Sequence, residues 1–226
     1  MRFLAVPVAF ALAVTGCASS PPSALASSSP VPSDTAVELT FLEAIDANDV
    51  AVVRSFLEMG IDPEAEIRPG ITPLPRAIHQ EAIDVVELLV ERVDINEWDP
   101  NGDLPLIITA AASSGASTVI LLDAGADPNL VAARNSITAL IEASKSNNTE
   151  VVNLLLAAGA DTEATDQFGR TALMYAGIYD NRDVIIALLV GGADANASFG
   201  SGSTAADWAE FEGNFEAAEL LRRAED

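Results

Sequence analysis

The chain has 226 residues, half of them apolar and a fifth charged, a balance that excludes general disorder and predicts a packed core. Acids outnumber bases 34 to 11, a formal net charge of −23. Such a surface repels nucleic acid and anionic headgroups and favours basic partners or cations, although the same charge also serves solubility alone. With one cysteine, Cys17, and one histidine, His79, neither an internal disulfide nor a zinc site of His and Cys ligands can be assembled.

Residues 1–17 read MRFLAVPVAFALAVTGC. Arg2 supplies a positive start, and Phe3 to Val14 is an apolar run of 12 residues. A membrane span needs about 20, so the run is expected to be a signal-peptide core. It ends in Val14-Thr15-Gly16-Cys17, which resembles a bacterial lipobox. The resemblance implies lipidation of the Cys17 thiol, cleavage before it and acylation of the new amine. Several acyl chains give stable anchoring where one is marginal. Loss of residues 1–16 removes one base, so the expected mature charge is −24. Ala18 and Ser19 follow the cysteine in place of the aspartate that resembles an inner-membrane retention signal, which points to an outer-membrane lipoprotein facing the periplasm. Residues 17–36 are therefore expected to be the acylated cysteine and a Ser/Pro/Ala tether that cannot order itself and reaches roughly 55 Å when stretched at about 3.1 Å per residue.

Beyond the tether one pattern recurs. Thr72-Pro73-Leu74, Leu104-Pro105-Leu106, Thr138-Ala139-Leu140, Thr171-Ala172-Leu173 and Thr204-Ala205-Ala206 start 32, 34, 33 and 33 residues apart. A second signature stays in phase: Gly60-Ile61-Asp62, Gly125-Ala126-Asp127, Gly159-Ala160-Asp161 and Gly192-Ala193-Asp194, with Glu64, Asn96, Asn129, Glu163 and Asn196 two residues after each repeat's aspartate. Two phased motifs with a period near 33 resemble the ankyrin repeat family. The resemblance implies an all-α solenoid of finger loops and paired antiparallel helices over residues 37–226, with six repeats at about 38–65, 66–97, 98–130, 131–164, 165–197 and 198–226.

The side chains support the same architecture. Thr72, Thr138, Thr171 and Thr204 suit helix N-caps, with Pro73 and Pro105 in first turns. Ala143-Ser144 and Ala176-Gly177 are small enough for close helix approach. Asn48, Asn147, Asp180 and Gly213 suit a left-handed linker between the paired helices. Val52-Val53 with Phe56-Leu57, Val85-Val86 with Leu88-Leu89, and Val151-Val152 with Leu154-Leu155 form apolar stripes at helical spacing. Leu221-Arg222-Arg223 ends the last copy as a cap turned to water, and Trp208 is expected in its core. Repeat two departs from the pattern: it is one residue short, lacks the glycine before Asp94 and carries Pro75 where the motif has histidine. Glu81 and Ser113 occupy left-handed positions, so the weakest interface is expected around repeats two and three.

No catalytic constellation stands out. His79 lacks a patterned acid and nucleophile, Asp99-Pro100-Asn101-Gly102-Asp103 reads as a finger turn and not a calcium loop, and no glycine loop cradles phosphate, so no metal or cofactor is implied. A hydrolase using paired carboxylates and a purely structural tether remain alternative classes. Ankyrin-like stacks bind along a concave strip of finger tips and first helices. The pattern puts Trp98, Arg134, Asn135, Gln167, Phe168, Arg170 and Phe199 on or near fingers, and Tyr179 and Phe211 just after the small pairs. Aromatics are 5% of the chain, so this clustering marks Trp98, Arg134, Phe168, Arg170, Tyr179, Phe199 and Phe211 as candidate partner-binding residues. For Phe168 and Phe199 packing between fingers is the alternative role. The resulting expectation is a monomeric, membrane-anchored protein-binding module without enzymatic activity. It acts as an adaptor or immunity-like inhibitor of a basic protein, or as a scaffold protecting an envelope enzyme.

Overall fold

The protein is represented by a computed structural model that describes residues 34–226 apart from Ser113, Ser201 and Asp226. The expected signal segment, Cys17 and the tether up to residue 33 lie outside the described residues. Six helix pairs follow: α1 (Asp34–Asp46) with α2 (Val50–Glu58), α3 (Pro73–His79) with α4 (Ile83–Val90), α5 (Pro105–Ala112) with α6 (Gly115–Asp123), α7 (Ala139–Lys145) with α8 (Thr149–Ala157), α9 (Ala172–Ile178) with α10 (Arg182–Val190), and α11 (Ala205–Phe211) with α12 (Phe215–Glu225). α1 starts at Asp34, so the last three residues assigned to the tether belong to the first helix. Odd-numbered helices stack in one layer and even-numbered helices in a second, each packed on its partner and on the next repeat.

One apolar seam joins the layers. Ile45, Val53, Ile78, Val86, Leu89, Leu121, Ile141, Leu155, Ile185, Leu188 and Leu221 are fully buried along it. Burying each such side chain contributes about 1.5–3 kcal/mol, and no single pair could bury its stripe alone. The stripe frays at the N-terminal end: Val85 and Val151 are 0% exposed, whereas Val52 in the same register is 39% exposed, with no repeat ahead of it among the described residues. The small pairs permit close approach as expected. A Cβ on Gly177 would stand 3.0 Å from the Ala205 carbonyl oxygen and 3.2 Å from Leu221 Cδ1.

Three of the four predicted threonine caps form. The hydroxyls of Thr138, Thr171 and Thr204 accept from the amides of Ile141, Met174 and Asp207, and Asp207 completes a capping box. Thr72 makes no side-chain cap bond, which corrects the expectation there. The amide that a threonine cap engages belongs to the third helical residue, here Pro75, which has no N–H. Asn48, Asn147, Asp180 and Gly213 are left-handed as predicted, and Glu81 takes the same conformation (φ 53°) although its side chain does not favour it.

The loops are joined by polar steps. The Asp62, Asp94, Asp127, Asp161 and Asp194 carboxylates each accept from the amide two residues on. The residue at that second position then reaches the next repeat. Glu64, Asn96, Asn129 and Glu163 accept from the amides of Asp94, Asp127, Asp161 and Asp194 at 2.8, 2.9, 2.8 and 3.0 Å. The phased Asp and Asn/Glu positions are thus the covalently local and the inter-repeat halves of one joint.

Candidate protein-binding strip

The fingers begin as aspartate-closed turns. Asp99 Oδ1 accepts from the amides of Asn101 and Asp103, and Asp166 Oδ1 accepts from those of Phe168 and Arg170. Adjacent fingers are then tied through the backbone: the Ala133 amide donates to the Gly102 carbonyl and the Gln167 amide to the Asn135 carbonyl, each at 2.9 Å. This fixes the tips as a row, so side chains at equivalent positions are presented at regular intervals.

The candidate residues fall into two groups. In repeats three and four, Trp98 is 56% exposed, yet its indole N–H donates to the Val131 carbonyl at 3.0 Å, which holds the ring in one orientation. Arg134 is exposed on the next finger, its stem against Gly102. In repeats five and six, the Arg170 guanidinium is the hub, 5.3 Å from the Phe168 ring, 5.7 Å from Tyr175 and 5.3 Å from Trp208. Tyr179, 52% exposed, stacks on Tyr175 at 6.3 Å, and Phe211, 81% exposed, meets Trp208 edge-on at 6.3 Å. Phe199 lies over Gly169: a Cβ there would fall 2.1 Å from the ring, so the finger accepts this phenylalanine only because the position is glycine. Phe199 therefore packs between fingers while remaining 41% exposed.

Two members of the strip, Tyr175 and Trp208, escape the sequence reading. Tyr175 donates to Asp166 Oδ2 at 2.7 Å, tying α9 to its own finger, and Lys145 lies 5.8 Å from the ring while pairing with Glu142 at 2.7 Å. Burial and the Asp166 carboxylate push the Tyr175 phenol up to about 12. Trp208, expected in the core, is only partly buried, with Arg170 over its face, and its indole N–H has no partner among the described residues. The available signal was register: Tyr175 and Trp208 occupy the same repeat position as Arg76, Ile108 and Glu142, four residues after each repeat's opening residue. At that position in repeat two, Arg76 makes a two-pronged pair with Asp46 at 2.7 Å per bond, and this pairing holds the Asp46 carboxyl below its ordinary range. Among the described residues, Arg134 and Arg170 form no ion pair within 4 Å. His79 is exposed on the strip, and Asp103 is raised above the usual carboxylate range by burial and by neighbouring Asp99. Cys17 is outside the described residues, and no helix among those residues is long and apolar enough to cross a membrane.

Paired helices, phased loops and a continuous nearest-neighbour core define a helical repeat solenoid. The chain belongs to the ankyrin repeat family: the profile described as ankyrin repeats (3 copies) matches residues 41–132, 110–199 and 140–226. Similar proteins include the ankyrin repeat, SAM and basic leucine zipper domain-containing protein 1 of Equus caballus, 35% identical over 107 residues, or 45% of this chain and 22% of that protein. Its counterpart in Mustela putorius furo is 32% identical over the same coverage. That of Loxodonta africana is 32% identical over 118 residues, 50% of this chain and 24% of that protein. The chain thus spans under a quarter of the length of these curated relatives. Its ankyrin stack is a protein–protein interaction module.

Proposed function

We propose that this chain is a membrane-anchored adaptor or inhibitor, facing the periplasm from the outer membrane, that binds a basic protein along the strip of fingers and first helices without catalysing a reaction. The observation that carries the reading is the Arg170-centred cluster, in which Arg170, buried Tyr175 and half-buried Trp208 hold the exposed rings of Phe168, Tyr179 and Phe211 in place. Rings fixed before binding lose little side-chain entropy on association, and aromatic and arginine side chains dominate interface energies. A formal charge of −23 draws a positive partner and speeds encounter in a salt-dependent way. The protein works as a monomer, with α12 closing one end of the stack. Anchoring rests on the lipobox-like residues 14–17.

Two measurements test this. Fractionation of cells expressing Cys17→Ser should move the protein from the membrane to the soluble fraction; unchanged membrane association overturns the anchor. With a captured basic envelope protein, Trp98→Ala and Tyr179→Ala should each weaken binding about thirtyfold, roughly 2 kcal/mol, while Glu87→Ala on α4 leaves it unchanged. Equal losses in all three, or binding indifferent to salt, overturn the strip.

A further inference from the structure

The irregular second repeat opens a cleft. It has a volume of about 400 Å³ and lies between the loops of repeats two and three, beside the starts of α3 and α5. Leu74, Pro75 and Trp98 supply apolar walls, and Glu64, Glu66, Asp94, Glu97 and Asp99 supply carboxylates, with no lysine or arginine among the lining residues. Its size is near the lower end of the roughly 300–1,000 Å³ typical of small-ligand sites.

Several of these carboxylates keep oxygens free for a ligand. Glu64 uses Oε1 on the Asp94 amide, Glu66 uses Oε2 on the Gly70 amide and Asp94 uses Oδ1 on the Asn96 amide, each leaving its second oxygen without a protein partner among the described residues. Glu97 is exposed, and among the described residues neither of its carboxylate oxygens accepts a hydrogen bond. The two helix starts offset at most about half a charge each, against five carboxylates. Among the described residues no three acids converge closely enough to hold a metal ion. The negative charge is therefore spread around an apolar wall instead of focused on a point. That distribution suits a cation carried on a hydrocarbon stem: methylenes against Leu74, Pro75 and the ring of Trp98, and the charged head among the carboxylates.

The geometry points to this cleft as a pocket for one protruding lysine or arginine side chain of the protein partner, an inference that rests on the reading of the chain as a binder of basic proteins. It adds a specificity element, at the Trp98 end of the strip, that the aromatic cluster of repeats five and six does not supply. The pocket exists because Pro75 replaces a larger motif residue with a flat ring and because repeat two lacks one residue before Asp94.

The test titrates the full chain with the peptide acetyl-Leu-Lys-Leu-amide and with its norleucine counterpart, which keeps the stem and removes the charge. The indole N–H resonance of Trp98, assigned with Trp98→Phe, reports occupancy. The lysine peptide should shift it saturably, about tenfold more tightly than the norleucine peptide, and added salt should weaken the binding. The double variant E66Q/E97Q, whose fold is checked by circular dichroism, should weaken the lysine peptide to a similar degree. Equal binding of both peptides, equal binding to the double variant, or no shift at Trp98 overturns the pocket. With a whole basic partner the two levels separate. If E66Q/E97Q binds it normally while Tyr179→Ala does not, the pocket is wrong and the strip stands. If only the glutamate variant loses affinity, the pocket stands and the aromatic cluster of repeats five and six is not the binding element.

Discussion

Repeats two and five bury the same registers to the same depth: Val85, Val86 and Leu89 are 0% exposed, as are Val184, Ile185 and Leu188. Around those cores they differ almost everywhere. In repeat five, Thr171 caps its helix, Asp180 supplies the left-handed link, and Asn181 donates to the Ser144 carbonyl of the preceding repeat at 2.6 Å. Repeat two has an uncapped Thr72, a left-handed Glu81, and Ala82 where Asn181 stands in repeat five. Its second helix has 8 residues where that of repeat five has 9. Repeat two has thus lost the cap and the asparagine hook of repeat five, yet keeps the same apolar packing, the Arg76–Asp46 pair and the loop joints through Glu64 and Asn96. The disturbance expected around repeats two and three settles in the loops, where it opens a cleft, and leaves the helix layers in register.

Removing residues from Ser203 onward gives the largest effect on this comparison. It uncovers the well-hooked repeat five, including Leu173 and Leu188, and should destabilise the whole stack by on the order of 5 kcal/mol in a denaturant melt. An unchanged melting curve would mean that repeat five does not depend on its neighbour.

A smaller and sharper contrast lies in the caps. Thr138→Val should cost about 1 kcal/mol in urea unfolding, because the hydroxyl bond to Ile141 is lost, whereas Thr72→Val should cost under about 0.3 kcal/mol. In a Pro75→Ala background the third amide is restored, and Thr72→Val should then cost about as much as at Thr138. A large cost at Thr72 in the wild-type chain would show that proline is not the cause.

The smallest effect at neutral pH concerns repeat five alone. The Tyr175 phenol is raised from 10 to about 12 in the folded chain, so its contribution is complete below pH 10 and is lost as pH rises toward 12. Wild type should lose more stability than Tyr175→Phe across that window in thermal melts. Parallel losses would show that the bond to Asp166 does not couple to folding.

Much of this was legible in the residues, for a physical reason. A period near 33 with two phased motifs carries the resemblance to ankyrin repeats, and that resemblance implies the helix pairs and the fingers. The failed cap at Thr72 was legible too, had Pro75 been weighed as a missing amide instead of a missing histidine. The Arg170 cluster was not. Its members Phe168, Tyr175 and Trp208 come from a finger and two helices, and which rings meet the guanidinium depends on rotamers and finger placement that repeat spacing does not encode. The cleft was equally hidden, since a one-residue deletion signals irregularity without saying whether the gap closes or stays open.

The side-chain-to-amide joints between successive loops have a directional consequence. Each loop offers an acceptor forward and an amide backward, so Glu64 meets Asp94, Asn96 meets Asp127, Asn129 meets Asp161 and Glu163 meets Asp194 in one unbroken sense. A duplicated unit of about 33 residues arrives with both halves of its joint already made, and an excised one leaves matching halves behind. As far as these loop joints go, a unit can be added or removed, one finger position at a time, without a compensating substitution in the joints that remain.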